Sequence, residues 1–219
     1  MKSEAGWRIG GGDALVGFAS DEAPDLKPQT EWFITWQNNQ AEISARKYLV
    51  PASALKGALA HRFAFHYRCL THNWVGVEPE SAHNEQAVKD LFGYAGDKND
   101  EGKAGLVFFN DLYLERVQTA TQMHNRIDQF TGGVMTGALF EDGLLWKTDI
   151  TLSLQLQNNS RLQALGPAHR QALQRTLEDL CEGRLPLGAG GSRGLGVFVA
   201  SSELQWSDSG EWIKQGEQA

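Results

Sequence analysis

The chain is poor in cysteine, in long apolar runs and in positive charge, and each shortage argues against a class of function. Of 219 residues only Cys69 and Cys181 are cysteines, and they share no paired spacing. That speaks against a disulfide framework or a zinc ribbon and makes a reducing compartment the default. The opening "MKSEAGWRIGGG" has no apolar run of the signal-peptide kind, and no segment is long enough to span a bilayer. The expectation is a cytoplasmic protein. The formal net charge of −7 has the wrong sign for a free-standing nucleic-acid binder.

Other features are plentiful. With 41% hydrophobic and 10% aromatic residues the chain can bury a sizeable core, as one large domain or one domain with insertions. Much of its acid is confined to Glu78–Glu101 and to the tail Glu203–Glu217. Lys56, His61, Arg62, Arg68, Arg126 and Arg193 lie elsewhere, so a basic surface on one face is compatible with the overall charge.

Along the chain, "RIGGGDALVGFASDEAPD" (8–25) reads as a loop. Two strand-like runs flank Asn38-Asn39, predicting a hairpin over 31–50. Pro51 and Ser53 open a helix in which Leu55, Ala58, Leu59 and Phe63 recur at helical spacing, with Ser53 or Ala52 near the cap. Residues 71–104 read as a polar insertion with a little helix around 85–92. "GLVFFNDLYLERV" (105–117) reads as a strand, and "WKTDITLSLQL" (146–156) as the cleanest strand, alternating perfectly. A helix follows Pro167 with a Leu173, Leu177, Leu180 stripe and ends at Gly183. A last strand is expected in "LGVFVASSELQW". The order is that of an α+β, ferredoxin-like βαββαβ unit with insertions. That order needs a strand before "GWRIGGG", where only a handful of residues precede it. Either the strand is truncated or a neighbouring chain supplies it, and an exposed apolar edge near Trp7 and Ile9 is expected.

Three separated segments stand out: "YLVPASALKGALAHR", "MHNRIDQFTGG" and "LGAGGSRGLG". The last puts five glycines and Arg193 into nine positions, more glycine than a plain turn requires. In this order the three resemble the motifs of the RAMP superfamily, most closely the backbone subunits of type III CRISPR ribonucleoprotein complexes. Val50–Arg62 is similar to the family's I-P-G/A-S-S-L-K-G-x-L-R. Asn125, Ile127, Asp128, Thr131 and Gly132 meet its N-x-I-D-R-x-T-G, with Gln129 where that pattern has arginine. Gly188–Gly196 meets G-x-G-x-R-G-x-G, and "LFG" at 91–93 sits where the family often has it. The resemblance covers roughly residues 6–200.

It implies one RAMP domain over 1–219. The core would be about 6–70, 105–120 and 144–206, with a polar insertion at about 71–104. A projecting β-hairpin thumb would occupy about 118–143. It implies partners: guide RNA, complementary target RNA and other RAMP subunits, with no membrane. Ser53, Lys56, Arg62, Arg126, Gly190, Gly191, Arg193 and Gly194 become the expected RNA-binding residues. A lysine at a helix start adds a point charge for phosphate, and a glycine loop admits close backbone approach beside a forked guanidinium. Met135, Leu139 and Phe140 become the expected thumb residues, apolar wedges that hold bases unstacked. The resemblance also implies target-RNA cleavage at an acidic loop. Asp21 is its expected catalytic residue and Mg²⁺ ligand, with Asp13 and Asp25 as competitors. Two alternatives within the superfamily stay open: a stand-alone guide-processing endoribonuclease with His61 or His124 as general base, and a non-catalytic capping subunit.

Other chemistries fit less well. His61, His66, Cys69 and His72 have no standard zinc spacing. No G-x-S-x-G elbow exists. "GAGGSRGLG" lacks the following helix and later acid of a dinucleotide site.

Overall fold

The computed structural model describes residues 1–10, 24–73, 82, 85–98, 100–202, 204–205 and 211–214. It is an α+β protein of several small antiparallel sheets with helices packed against them. Strand β1 (Lys2–Ser3) fills the expected first position in truncated form. It pairs antiparallel with the last strand of the chain, at Val199 and Phe198, and Lys2 bridges Asp149 on its other side. The Met1 amine donates to the Ile150 carbonyl at 2.7 Å. Trp7 and Ile9 are buried in the core rather than exposed, so the expected apolar edge does not exist there. The Trp7 ring packs edge-on against Phe198 at 4.9 Å.

Strands β2 (Thr30–Gln37) and β3 (Gln40–Val50) form the expected hairpin. Asn38 and Asn39 both take positive φ, which suits a tight turn that follows the strands' twist. β3 runs through Pro51 into helix α1 (Ala52–Thr71), which buries Leu55, Leu59, Ala60, Phe63 and Ala64. Helix α2 (Gln86–Phe92) leads into a hairpin of β4 (Gly93–Asp97) and β5 (Asp100–Ala104). The expected single strand over 105–117 is two short ones, β6 (Val107–Phe109) and β7 (Leu112–Leu114). Between them Asp111 turns aside to accept the Ala52 N–H at 2.7 Å. Neither Ser53 nor Ala52 caps α1; that aspartate, from a distant part of the chain, does.

Strands β8 (Gln118–His124) and β9 (Phe140–Trp146) pair along their full length. The stretch 146–156 keeps its alternating burial, but its ladder is broken. β9 stops at Trp146, Lys147 turns to positive φ, and only β10 (Leu154–Leu156) resumes, against β6. At Thr148 the backbone pairing passes to β1, with the Ser3 N–H donating to Thr148 O, and side chains add to it: Trp7 Nε1 donates to Thr148 Oγ1, and the Thr148 N–H donates to Ser3 Oγ. A short helix α3 (Ser160–Gln163), capped by Asn159, precedes α4 (Pro167–Cys181). The final strand β11 (Phe198–Val199) is only two residues long, and helix α5 (Glu211–Lys214) packs on α4.

Helices α1 and α4 pack together at the centre of the apolar core, where Phe63 of α1, Phe92 of α2 and Leu173 of α4 are wholly buried. Burial of each such side chain stabilises the fold by about 1.5–3 kcal/mol. Among the described residues no helix is long and apolar enough to cross a membrane.

Candidate nucleic-acid interface

The glycine loop between α4 and β11 is held by the protein's own backbone. A Cβ at Gly188 would meet the Arg8 carbonyl oxygen at 2.2 Å, and one at Gly196 the Leu187 carbonyl oxygen at 2.2 Å. The Ala189 N–H donates to Arg8 O, the Gly196 N–H to Gly6 O, and the Leu187 N–H to Gly196 O. Gly190 and Gly194 take positive φ on either side of a 3-10 turn over Gly191–Arg193. Much of the glycine content therefore serves close packing of the loop on residues 6–10. What the loop presents outward is Ser192, Arg193 and Gly194, all exposed.

Arg193 Nη2 reaches back to Asp142 Oδ2 at 3.0 Å, while Arg8 Nε holds the other oxygen of that carboxylate at 2.6 Å. Asp142 is wholly buried, Arg8 nearly so, and the Arg193 side chain is 45% exposed. Among the described residues the two guanidinium groups share this one carboxylate, which leaves a surplus positive charge at the solvent end. A buried charge is tolerated when paired, and the surplus here is directed at the surface. His124, at the end of the β8–β9 ladder where the tip begins, places Nε2 3.9 Å from the same carboxylate. Neither Arg8 nor Asp142 belongs to a recognisable motif, and sequence reasoning missed both.

The acidic loop begins and ends at this cluster. Its entry, Arg8 to Gly10, lies under the glycine loop, and Gly10 bridges Pro28. Its exit is pinned to β9: the Leu26 N–H donates to Glu141 O and the Gly143 N–H to Leu26 O. Asp25 Oδ2 accepts the Glu141 N–H at 2.8 Å. Asp13 and Asp21 lie outside the described residues. Among the described residues no group of three or more His, Cys, Asp or Glu side chains could hold a metal ion. Asp25 is bonded to Glu141 and Asp142 to two arginines.

A second groove, of about 630 Å³, is lined by Lys56 of α1, Lys89 of α2, and Tyr94 and Lys103 of the β4–β5 hairpin. Ser53 is exposed at the start of α1. The Asp111 carboxylate already occupies the first N–H of that helix, so an anion there is drawn by Lys56 more than by the helix end. Arg62 is placed differently. Its Nε donates to Asp179 of α4, which also accepts from Arg184 Nε at 2.6 Å and pairs with His66 Nε2 at 2.7 Å. Burial raises the Asp179 pKa, but the bonds from Arg184, His66 and Arg62 outweigh it and hold the carboxyl at about 2. Arg62 thus ties α1 to α4. His61, by contrast, is exposed on α1.

The β8–β9 hairpin extends into a tip over residues 125–139, where Ile127 bridges Val134. Asp128 organises that tip by accepting the N–H groups of Thr131 and Phe130 and the Thr131 hydroxyl. These bonds, the Thr131 N–H foremost, hold its carboxyl below the usual carboxylate range. Gly132 follows at positive φ. The segment "NRIDQFTGG" is therefore a turn specification. Arg126 is exposed beside it, its carbonyl bonded by the Met135 N–H. Met135 and Leu139 are exposed, whereas Phe140 stacks on His124 at 5.0 Å and belongs to the last pair of the β8–β9 ladder, below the tip. The most exposed apolar side chain of the tip is Phe130, at 88%. Sequence reasoning passed over it, although an aromatic one residue before the Thr-Gly-Gly turn is a readable signal.

A family model described as the RAMP superfamily matches residues 7–199, most of the chain and all of the elements that build these surfaces. No curated protein matches.

Proposed function

Because the chain belongs to the RAMP superfamily, and that membership implies a CRISPR-associated RNA-binding function, we propose that it is a guide-RNA-binding backbone subunit of a type III CRISPR complex. The observation that carries this reading is the Arg8–Asp142–Arg193 cluster. It directs a fixed positive charge outward where the glycine loop, the ends of the acidic loop and the ladder of the projecting β8–β9 hairpin meet. Arg193 and Lys56 hold backbone phosphates, so guide sequence is not read by the protein and base pairing supplies specificity. The tip bearing Phe130, Met135 and Leu139 enters the guide–target duplex and holds a nucleotide out of the stack. The acidic loop, with Asp21 as its acting carboxylate, meets the backbone of a nucleotide so displaced.

The test is to isolate the native particle and sequence its RNA. The expected content is a set of guides with common repeat-derived ends and varied interiors, carried by several RAMP subunits. A particle without RNA, or one carrying a single invariant RNA, would overturn the reading.

A further inference from the structure

The β2–β3 hairpin carries an apolar face that neither the fold nor the proposed guide site uses. Trp32, Ile34 and Trp36 alternate with Phe33 and Thr35 along β2, and their side chains are 54%, 55% and 73% exposed. Across the ladder Trp32 pairs with Arg46, Ile34 with Ile43 and Trp36 with Ala41, and paired residues share a face. Ile43 is as exposed as Trp36. Phe33, on the opposite face, packs against Tyr113 and under Lys47. Exposed apolar surface of this kind on a strand pair marks a binding face.

We propose that this face is a stacking platform for unpaired bases of single-stranded RNA, an inference that rests on the RNA-binding reading above. Three observations favour bases. First, the charged residue of the face is a cation: Arg46 lies with its guanidinium 5.1 Å from the Trp32 ring centroid. The acids Glu31 and Glu42 pair with Lys47 and Thr35, on the other face. Second, Trp32 and Trp36 are four residues apart on one strand, about 13 Å by the strand rise. That is several times the ~3.4 Å repeat of a stacked strand, so the two indoles suit splayed bases and not a duplex. Third, β3 runs through Pro51 into α1, so the platform hairpin is joined in the chain to the helix that carries Ser53 and Lys56. An indole beside a guanidinium is the chemistry of sequence-tolerant single-strand binding.

The test uses the full chain with a labelled single-stranded oligoribonucleotide and a duplex of the same length. Trp32→Ala and Trp36→Ala should each weaken single-strand binding roughly tenfold, while Trp32→Phe and Trp36→Phe restore most of it. The slope of log affinity against log salt should stay unchanged, because no phosphate contact is lost, and duplex binding should not move. Arg193→Ala is the reference, since it should lower that slope. Alanine variants that melt normally and bind single strands like the wild type would overturn the platform while leaving the guide site intact. Loss of subunit association with unchanged RNA affinity would overturn it in favour of a protein interface. A wild-type chain that binds no RNA would overturn both readings.

Discussion

A single carboxylate, Asp142, decides how Arg8 and Arg193 behave, and the two arginines answer differently to its loss. Asp142→Asn leaves the buried Arg8 without a counter-charge, and breaking a buried pair in this way costs roughly 3–5 kcal/mol. Arg193→Ala leaves Asp142 still bonded to Arg8 and removes a side chain that is nearly half in water. Its expected effect on stability is within about 1 kcal/mol. In RNA binding the order reverses. Arg193→Ala, like Lys56→Ala, should weaken binding equally for all guide sequences and reduce the salt slope by about one unit. Thermal melts and salt titrations of the three variants check both halves. Sequence-selective loss would show that a base contact, not a phosphate contact, had been removed. Arg193 was legible because a glycine-rich loop around an arginine is a pattern within nine positions. Arg8 and Asp142 were not, since they meet across 134 residues of chain and neither neighbourhood is distinctive. A separation of 59 residues likewise hid the capping of α1 by Asp111, where local reasoning had looked to Ser53 or Ala52.

At the scale of elements, the α1–α4 pair carries a pH dependence with two windows. Asp179 has its carboxyl at about 2 in the fold, below its unfolded value near 4. Its depressed pKa contributes stability that is present above about pH 4 and is lost as pH falls towards 2. The shift corresponds to about 2 kcal/mol at neutral pH. His169 lies against Tyr67 at 4.8 Å, and burial lowers its pKa below the ordinary 6.5. The unfolded chain therefore takes up that proton first, and stability begins to fall below about pH 6.5. Thermal unfolding across pH should show a shallow decline from near 6.5 and a steeper one below 4. Asp179→Asn should make the second shallower and leave the first. Helices α1, α2 and α4 and the β2–β3 hairpin were readable from spacing and turn chemistry, because their stabilising bonds are local, whereas the β8–β9 hairpin was expected only from the resemblance and the β4–β5 hairpin was not expected. The break inside 146–156 was not. Its alternation is unbroken, but its backbone pairing changes partner from β8 to β1 after Trp146, where Ser3 and Trp7 add side-chain bonds, and no local pattern announces that. The tip of the β8–β9 hairpin gives the converse case. Asp128 and Thr131 were visible as a motif, and the structure makes them the turn's own scaffold. Phe130→Ala, at an 88% exposed position, should leave the melting temperature unchanged. If the tip enters the guide–target duplex, the same variant should reduce unstacking of the displaced base. A fluorescent base analogue at that position in the target reads this directly, and an unchanged signal would remove Phe130 from the contact.

For the molecule as a whole, a chain of net charge −7 holds a polyanion only where its cations are segregated from its acids. The acidic loop poses that problem most sharply, because both of its ends lie at the Arg8–Asp142–Arg193 cluster. An acid-rich loop beside the proposed phosphate site repels RNA unless one of its carboxylates has work to do there. Asp21 is proposed for that work, in the assembled particle and not in the isolated chain. In-line attack by a 2′-hydroxyl needs a nucleotide lifted out of A-form stacking, and the projecting tip of a neighbouring subunit is the element suited to lift it. Cleavage should then fall at evenly spaced positions and depend on a divalent cation, so that a chelator stops it and leaves the particle and its RNA intact. Asp21→Ala or Asp21→Asn should abolish the cut at this subunit's positions while guide and target binding persist, since a group acting only in the transition state affects turnover and not affinity. Asp13→Ala should be milder. Asp25→Ala should also cut, more slowly, because it frees the Glu141 N–H and loosens the loop's anchor on β9 without removing the acting carboxylate. End-labelled target RNA, run on a denaturing gel after incubation with particles carrying each variant, separates these outcomes. A full ladder from the Asp21→Ala particle would take catalysis away from this loop. Loss of target binding in the same particle would make Asp21 a structural residue.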